Sequence, residues 1–114
     1  MPSVPLKLLT VVAEAVLADR LTKAMLDAGA LGFTLTPAKG VGARNRHVIK
    51  SGAPNVRIEV LANAGVTQSL LAMLAEDWYP NHPMVAWVHD VDLTYSEQYL
   101  GDPAGDASQE IEVS

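Results

Sequence analysis

The order in which patterned segments follow one another is the feature that most constrains the fold of this chain. Four segments have strand patterns: the apolar segment 6–12, then alternating segments at 31–36, 56–61 and 85–91. The second strand is predicted to be half-buried, because Leu31, Phe33 and Leu35 alternate with glycine and threonine. Pro37 is expected to end it, since proline lacks the backbone N–H that a strand donates.

Two helical segments lie between these strands. Leu17, Leu21 and Met25 recur at helical spacing, and Gly29 is expected to end this helix in a left-handed conformation. Asn63 suits the N-cap of a second helix, which Pro80 is expected to end. Two strand–helix–strand halves predict a ferredoxin-like α+β fold, βαββαβ, with one antiparallel four-stranded sheet and both helices on one face. The other face also carries apolar residues, and a symmetric oligomer would cover it.

A long segment without periodicity, residues 37–53, separates the second and third strands. Such segments are usually functional or disordered when they exceed about 12–15 residues in a compact domain. Gly40 and Gly42 allow the backbone amides to approach a ligand closely. Arg44 offers a forked cationic donor set, and Asn45 offers both a donor and an acceptor. The segment is therefore predicted to bind a small anion such as phosphate or carbonate.

The distribution of charge supports an anion site in this region. The sequence has 8 Lys and Arg against 13 Asp and Glu, a net charge of −5, yet residues 28–58 contain five cations and no carboxylate. The five cations are Lys39, Arg44, Arg46, Lys50 and Arg57. An acidic chain that keeps carboxylates out of one segment creates a local positive field there.

The composition excludes several other classes of protein. A length of 114 residues fits one domain, and the acidic segment 101–114 is expected to be a flexible tail. The acidic balance argues against a nucleic-acid-binding protein. The absence of cysteine excludes disulfides and thiolate chemistry. A signal-peptide pattern and an apolar run of about 20 residues are both lacking, which predicts a cytoplasmic protein.

A few residues outside the long segment are candidates for ligand contact. Arg57 and Glu59 share one face of the third strand, where they form either a surface ion pair or an anion contact beside a sugar contact. Phe33 either packs in the core or stacks on an adenine ring, and Thr34 could bind a base or sugar. His89 is expected to face away from Asp90 and Asp92 on a regular strand, so no metal site is predicted.

Four short segments resemble a known family. They are Gly29-Ala30-Leu31-Gly32-Phe33-Thr34, Gly40-Val41-Gly42-Ala43-Arg44-Asn45, Ser51-Gly52-Ala53-Pro54-Asn55 and Ile58-Glu59-Val60-Leu61. Together with the element order, they make the chain similar to PII-type signalling proteins over about residues 6–95. The similarity is strongest to the PII-like branch linked to inorganic-carbon uptake, which includes the bicarbonate-transporter regulator SbtB and the carboxysome-associated PII protein (CPII). The long segment, about residues 37–54, corresponds to the T-loop of that family.

The resemblance implies a homotrimer that binds adenine nucleotides in clefts between subunits, with residues 1–100 forming the PII-like domain. With the residue patterns, it assigns the nucleotide site to Phe33, Thr34, Gly40, Gly42, Arg44, Arg57, Glu59, Val60 and His89. It assigns bicarbonate binding to Gly42, Ala43, Arg44 and Asn45. The glycine- and lysine-rich B-loop of other PII proteins is replaced by residues 79–83, which favours ADP or AMP over ATP. The uridylylated tyrosine and the C-terminal cysteine hairpin found in some relatives are also missing.

The resulting hypothesis is a non-catalytic regulator without metal or cofactor, in which adenine nucleotide and bicarbonate are effector ligands. Its T-loop would present a surface to a bicarbonate transporter or a carboxysome component. The protein would then be associated with the membrane transporter or with the carboxysome. Two alternatives stay open. One is a small hydrolase acting on a phosphorylated or carboxylated metabolite, with Asp90 or Asp92 as base and Arg44 as anion clamp. The other is a structural trimer that docks partners through a constitutively ordered loop.

Overall fold

The computed structural model describes residues 3–39 and 54–94. These ranges contain the strands β1 (Val4–Glu14), β2 (Thr34–Ala38), β3 (Asn55–Ala62) and β4 (Met84–Leu93). They also contain the helices α1 (Ala18–Asp27), which follows a 3-10 turn, and α2 (Ala64–Met73), which continues as a π-helical stretch, Leu74–Trp78. The predicted order βαββαβ is therefore confirmed. The segment 40–53 and the expected tail 101–114 lie outside the described residues.

The four described strands form one sheet in the order β2-β3-β1-β4, and every neighbouring pair is antiparallel. The central strand β1 pairs Leu9 with Val60 on one side and with Val88 on the other. This order follows from the two crossovers, because each helix carries the chain past one strand before it re-enters the sheet. The ferredoxin-like fold predicted from the sequence is confirmed.

The core lies between the helices and one face of the sheet. It includes Leu9, Val11 and Ala13 of β1, Val56, Ile58 and Val60 of β3, Leu21 and Met25 of α1, and Leu70 and Leu74 of α2 and its π-helical continuation. The spacing of two along the strands and of three to four along the helices brings these side chains together. The apolar stripe predicted for α1 and the alternation predicted for β3 are both confirmed.

The second strand differs from its prediction in position and in burial. It begins at Thr34 rather than Leu31 and runs through Pro37, which pairs with Val56, to Ala38. Proline is tolerated there because β2 is an edge strand of the described sheet, so one side of its backbone has no ladder partner among the described strands. The expected half-burial is wrong for the same reason: residues 34–37 are all exposed.

Two of the helix boundaries that the sequence indicated are set by the expected residues. Gly29 has a φ of 119°, a left-handed conformation that glycine adopts without a steric penalty. Asn63 accepts a hydrogen bond from the backbone N–H of Val66 through its Oδ1 atom at 2.8 Å, which caps α2. Within the described ranges, no helix is both long and apolar enough to cross a membrane.

Replacing Asn63 with alanine is expected to lower the free energy of unfolding by about 0.5–2 kcal/mol, because the N–H of Val66 loses its acceptor. Chemical denaturation monitored by circular dichroism would measure the change. Asn63→Asp is the matched control, since aspartate caps helices as well as asparagine does and should keep the wild-type stability. A loss of equal size in both variants would show that the cap does not stabilise α2.

Candidate functional site

Within residues 3–39 and 54–94, no helix or strand covers the face of the sheet opposite the helices, which we call the open face. Side chains alternate along a strand, so the residues between the core positions point to this open face. On β3 they include Arg57 and Glu59, and on β1 they include Thr10 and Val12, which pair with Glu59 and Arg57 respectively. The open face therefore carries charged groups beside the apolar residues of the centre.

Four polar side chains meet on the open face of β2 and β3. The register pairs Thr34 with Glu59 and Thr36 with Arg57. Directly opposed residues of an antiparallel pair have their Cβ atoms about 4.5–5.5 Å apart, so these side chains are neighbours. We call Thr34, Thr36, Arg57 and Glu59 the polar patch. It combines two hydroxyl groups, a guanidinium and a carboxylate on one surface.

The polar patch lies close to the two ends of the segment 40–53. Lys39 follows β2, and Pro54 precedes β3, with its carbonyl accepting a 2.9 Å hydrogen bond from the backbone N–H of Ala15. Arg57 is only three residues beyond Pro54 on the same strand. A ligand held by the predicted anion-binding segment could therefore also reach the polar patch.

Arg57 and Glu59 form the ion pair that was one of the two alternatives for them. Arg57 Nη2 lies 3.4 Å from Glu59 Oε2, and the side chains are 49% and 27% exposed respectively. The spacing of two along β3 places both on one face, as predicted from the sequence. The guanidinium is the more accessible partner, so an incoming anion would meet Arg57 before it reached the carboxylate.

The other described residues predicted to bind nucleotide fall in three different places. Phe33 precedes β2 and is 42% exposed, so it does not pack in the core of this chain. Val60 is 1% exposed and belongs to the core beneath the opposite sheet face, which leaves no side-chain contact with a ligand on the open face. The assignment of Val60 to the nucleotide site therefore stays a prediction that would involve its backbone and not its side chain. Its alternation with Glu59 along β3 is the physical reason.

His89 lies on the open face but far from the polar patch. It pairs with Leu8 of β1, so it is on β4, whereas Thr34 is on β2 at the other edge of the described sheet. With strands about 4.8 Å apart, three strand spacings separate them by about 14 Å. One chain therefore does not bring His89 and Thr34 to the same ligand. The remaining predicted site residues, Gly40, Gly42, Ala43, Arg44 and Asn45, lie outside the described residues.

Sequence patterns missed some residues of this surface. Thr36 belongs to the polar patch. Trp87 pairs with Thr10, and so it lies in the same line of cross-strand neighbours as Glu59 and Thr34. Finding Thr36 requires the register of β2 on β3, which a connection as long as 39–54 does not fix, and finding Trp87 requires the register of β4 on β1. A threonine or a tryptophan does not by itself indicate a binding site, so residue type singled out neither Thr36 nor Trp87.

Residues 79–83 reach the sheet at the end of the strands where β3 begins, because Met84 of β4 pairs with Ala13 of β1, which pairs with Val56 on its other side. The ring of His82 lies 5.1 Å from that of Trp78, and the Arg20 guanidinium lies 5.6 Å from the Trp78 ring. The backbone N–H of His82 also donates to the carbonyl of Trp78 at 2.9 Å. His82 is thus held against Trp78 of the π-helical stretch.

The carboxylates at the other end of β4 occupy a separate location. Asp90 pairs with Lys7 in the β1–β4 register and accepts a 2.5 Å hydrogen bond from its ammonium group. Together with Asp92 and Ala64, these residues line an open cleft of about 410 Å³. Asp90 is six residues from Met84, about 20 Å along the strand, and so is remote from the ends of the segment 40–53. Among the described residues, no group of potential ligands could hold a metal ion.

The pKa of Asp90 is lowered from its ordinary value. The larger cause is the hydrogen bond from Lys7, and the second is the positive charge of Lys7. A lowered folded-state pKa means that the ion pair stabilises the fold above the unfolded-state pKa of about 3.9 and that this contribution is lost as the pH falls. Following the Asp90 carboxyl resonance by NMR titration should show a midpoint below this value. In Lys7→Gln the midpoint should rise toward the unfolded-state pKa. An unchanged midpoint would mean that Lys7 does not lower the pKa of Asp90.

Comparison with known proteins settles the family. A family model for the nitrogen regulatory protein P-II matches residues 6–98. The chain belongs to the P-II family. No match was found among curated protein sequences.

Solved P-II-like structures share the fold of this chain. A protein of Thermus thermophilus, described as a PII-like signalling protein, is 35% identical over 82% of this chain and 94% of its own, with a TM-score of 0.71. CPII of Thiomonas intermedia K12 bound to ADP, AMP and acetate is 22% identical over 83% of this chain and 94% of its own, with a TM-score of 0.73. CPII bound to ADP, AMP and bicarbonate is 22% identical over 83% of this chain and 99% of its own, with a TM-score of 0.69. These P-II-like structures include the branch that the sequence resembles.

Proposed function

We propose that this protein is a non-catalytic regulator that binds an adenine nucleotide, preferably ADP or AMP, at clefts between the subunits of a homotrimer. The observation that carries the proposal is the P-II match over residues 6–98 together with the polar patch on the open face beside the ends of the segment 40–53. The patch supplies a cation for a phosphate and a carboxylate for sugar hydroxyls, the two chemistries that a nucleotide requires.

The separation of the candidate residues supports a site between subunits. His89 and Thr34 lie at opposite edges of the described sheet, so both can contact one nucleotide only if they come from different subunits. The open face also exposes Trp87, whose pairing partner Thr10 is buried. Packing three copies around their open faces would bury this apolar surface and place the β2 edge of one subunit near the β4 edge of the next.

In this proposal the phosphate end of the nucleotide is held by Gly40, Gly42 and Arg44, and Arg57 adds a further cation. Bicarbonate binds beside it, at Gly42, Ala43, Arg44 and Asn45. The CPII structures, which contain ADP, AMP and bicarbonate in that protein, are consistent with these two ligand types. Ligand binding would change the T-loop surface that a partner recognises, such as a bicarbonate transporter or a carboxysome component, and so regulate inorganic-carbon metabolism.

The hydrolase alternative receives less support from the structure. Asp90 is paired with Lys7, and its lowered pKa makes it a weaker base than an ordinary aspartate. It also lies at the end of β4 that is remote from the described ends of the segment 40–53. Incubation with ATP, ADP or AMP followed by chromatography should show no turnover; the appearance of product would support the hydrolase instead.

The proposed function is tested first by thermal denaturation with AMP, ADP, ATP and cyclic AMP, each with and without bicarbonate. We expect AMP or ADP to raise the melting temperature most, since a ligand stabilises the state that it binds. Bicarbonate should tighten nucleotide binding by the same factor by which nucleotide tightens bicarbonate binding. Light scattering after size-exclusion chromatography should give the mass of three chains. A monomer with no response to any nucleotide would contradict the proposal.

A further inference from the structure

The ion pair in the polar patch places opposite charges within one small surface. Arg57 Nη2 and Glu59 Oε2 are 3.4 Å apart, so a single long contact joins them and uses one of the five N–H donors of the guanidinium. Glu59 is the less exposed partner, set between Thr34 and the buried Thr10 in the sheet register. Arg57 therefore keeps donors for a ligand while a negative charge stays beside it.

This arrangement affects anionic ligands according to their charge. An anion that binds the free N–H groups of Arg57 would come within several ångströms of the Glu59 carboxylate, since both contact the same guanidinium. The attraction to Arg57 and the repulsion from Glu59 both rise with each additional negative charge, so Glu59 offsets part of the affinity that a more highly charged anion gains at Arg57. A hydroxyl-bearing ligand gains instead, because the carboxylate accepts hydrogen bonds from neutral donors.

The geometry points to Glu59 as the residue that sets the ligand charge that the polar patch accepts. Glu59 disfavours highly charged anions at Arg57 and favours ligands that combine a low phosphate charge with hydroxyl groups. It thereby reduces the advantage in affinity that a triphosphate would otherwise gain at Arg57 over a nucleoside monophosphate or diphosphate. The identity of the ligand as a nucleotide rests on the proposed function, whereas the charge preference itself depends only on the described pair.

The test compares wild type with Glu59→Gln, which keeps the shape and the hydrogen-bonding oxygen but removes the charge. Calorimetric titrations use inorganic phosphate and pyrophosphate as nucleotide-free probes, and AMP and ATP as nucleotide probes. Glu59→Gln should bind pyrophosphate about fivefold to tenfold more tightly than wild type, with a smaller gain for phosphate, as expected for removing a like charge at a partly exposed site. The ratio of ATP affinity to AMP affinity should rise by a similar factor.

Three further variants control this comparison. Glu59→Asp keeps the charge and should retain the wild-type ratios, which separates charge from any loss of folding. Asp19→Asn removes one negative charge from the exposed first turn of α1, on the other side of the sheet, and should leave the ratios unchanged. Adding Arg57→Ala to Glu59→Gln should abolish the gain for pyrophosphate, because the cation that holds the anion is then missing.

The outcomes separate this inference from the proposed function. A gain for pyrophosphate in Glu59→Gln without any binding of AMP or ATP would support the charge preference and contradict the adenine-nucleotide proposal. Nucleotide binding with the same ATP-to-AMP ratio in wild type and Glu59→Gln would contradict the charge preference and leave the proposed function standing. Failure of all four probes to bind either protein would overturn the charge preference as well.

Discussion

Replacing Leu21 with alanine is expected to lower the free energy of unfolding by about 2–5 kcal/mol, the range for removing a fully buried leucine side chain. Leu21 is 0% exposed and lies in the core between α1 and the sheet. The substitution removes buried apolar surface and leaves a cavity that the surrounding side chains fill only in part. Denaturant titration at a fixed protein concentration would measure the loss, since oligomer stability depends on concentration.

Leu26→Ala is the matched control for this experiment. It makes the same substitution in the same helix, so the change in helix propensity is equal, but Leu26 is 42% exposed. Its effect should stay within about 0.5 kcal/mol, as is usual for surface substitutions. Equal losses in the two variants would show that α1 does not pack on the sheet through the face containing Leu21.

Replacing Arg44 with alanine is expected to weaken binding of ADP by about 1.5–3 kcal/mol, the range for a hydrogen bond to a charged group. Arg44 lies outside the described residues, so this prediction rests on the acid-free segment and on the match to the P-II family. Calorimetry would measure the affinity. Arg44→Lys should give an intermediate loss, because lysine keeps the charge but lacks the forked donors.

Lys23→Ala controls for the loss of one positive charge. Lys23 pairs with Asp27 on the exposed surface of α1, 3.2 Å from its carboxylate. An exposed pair of this kind contributes little to stability, so the variant should fold normally and bind ADP as the wild type does. Unchanged ADP affinity in Arg44→Ala would show that this arginine does not hold the nucleotide phosphate.

The fold could be predicted because its central elements are buried on a fixed face. Leu17, Leu21 and Met25 recur at helical spacing, and Val56, Ile58 and Val60 alternate, so periodicity alone located α1 and β3. The edge strand β2 could not be placed in this way. Its position depends on its pairing with β3, and Pro37 is acceptable there because one side of β2 has no partner among the described strands.

The candidate site was predictable only in part. The two-residue spacing placed Arg57 and Glu59 on one face, and the structure confirms that they pair. The same alternation already separated Val60 from Glu59, yet the family resemblance assigned both to the nucleotide site. Thr36 could not be found, because its position beside Arg57 follows from a register that the long connection leaves open. Family resemblance thus identified the region, and strand geometry decides which side chains can act there.

The central claim, that this P-II family member binds an adenine nucleotide between its subunits, is tested most directly by titrating ADP into the wild-type protein in a calorimeter. Saturable binding with one ADP for each subunit is expected, because a trimer has three equivalent clefts. A titration without saturable heat, in a protein whose melting temperature ADP also leaves unchanged, would contradict it.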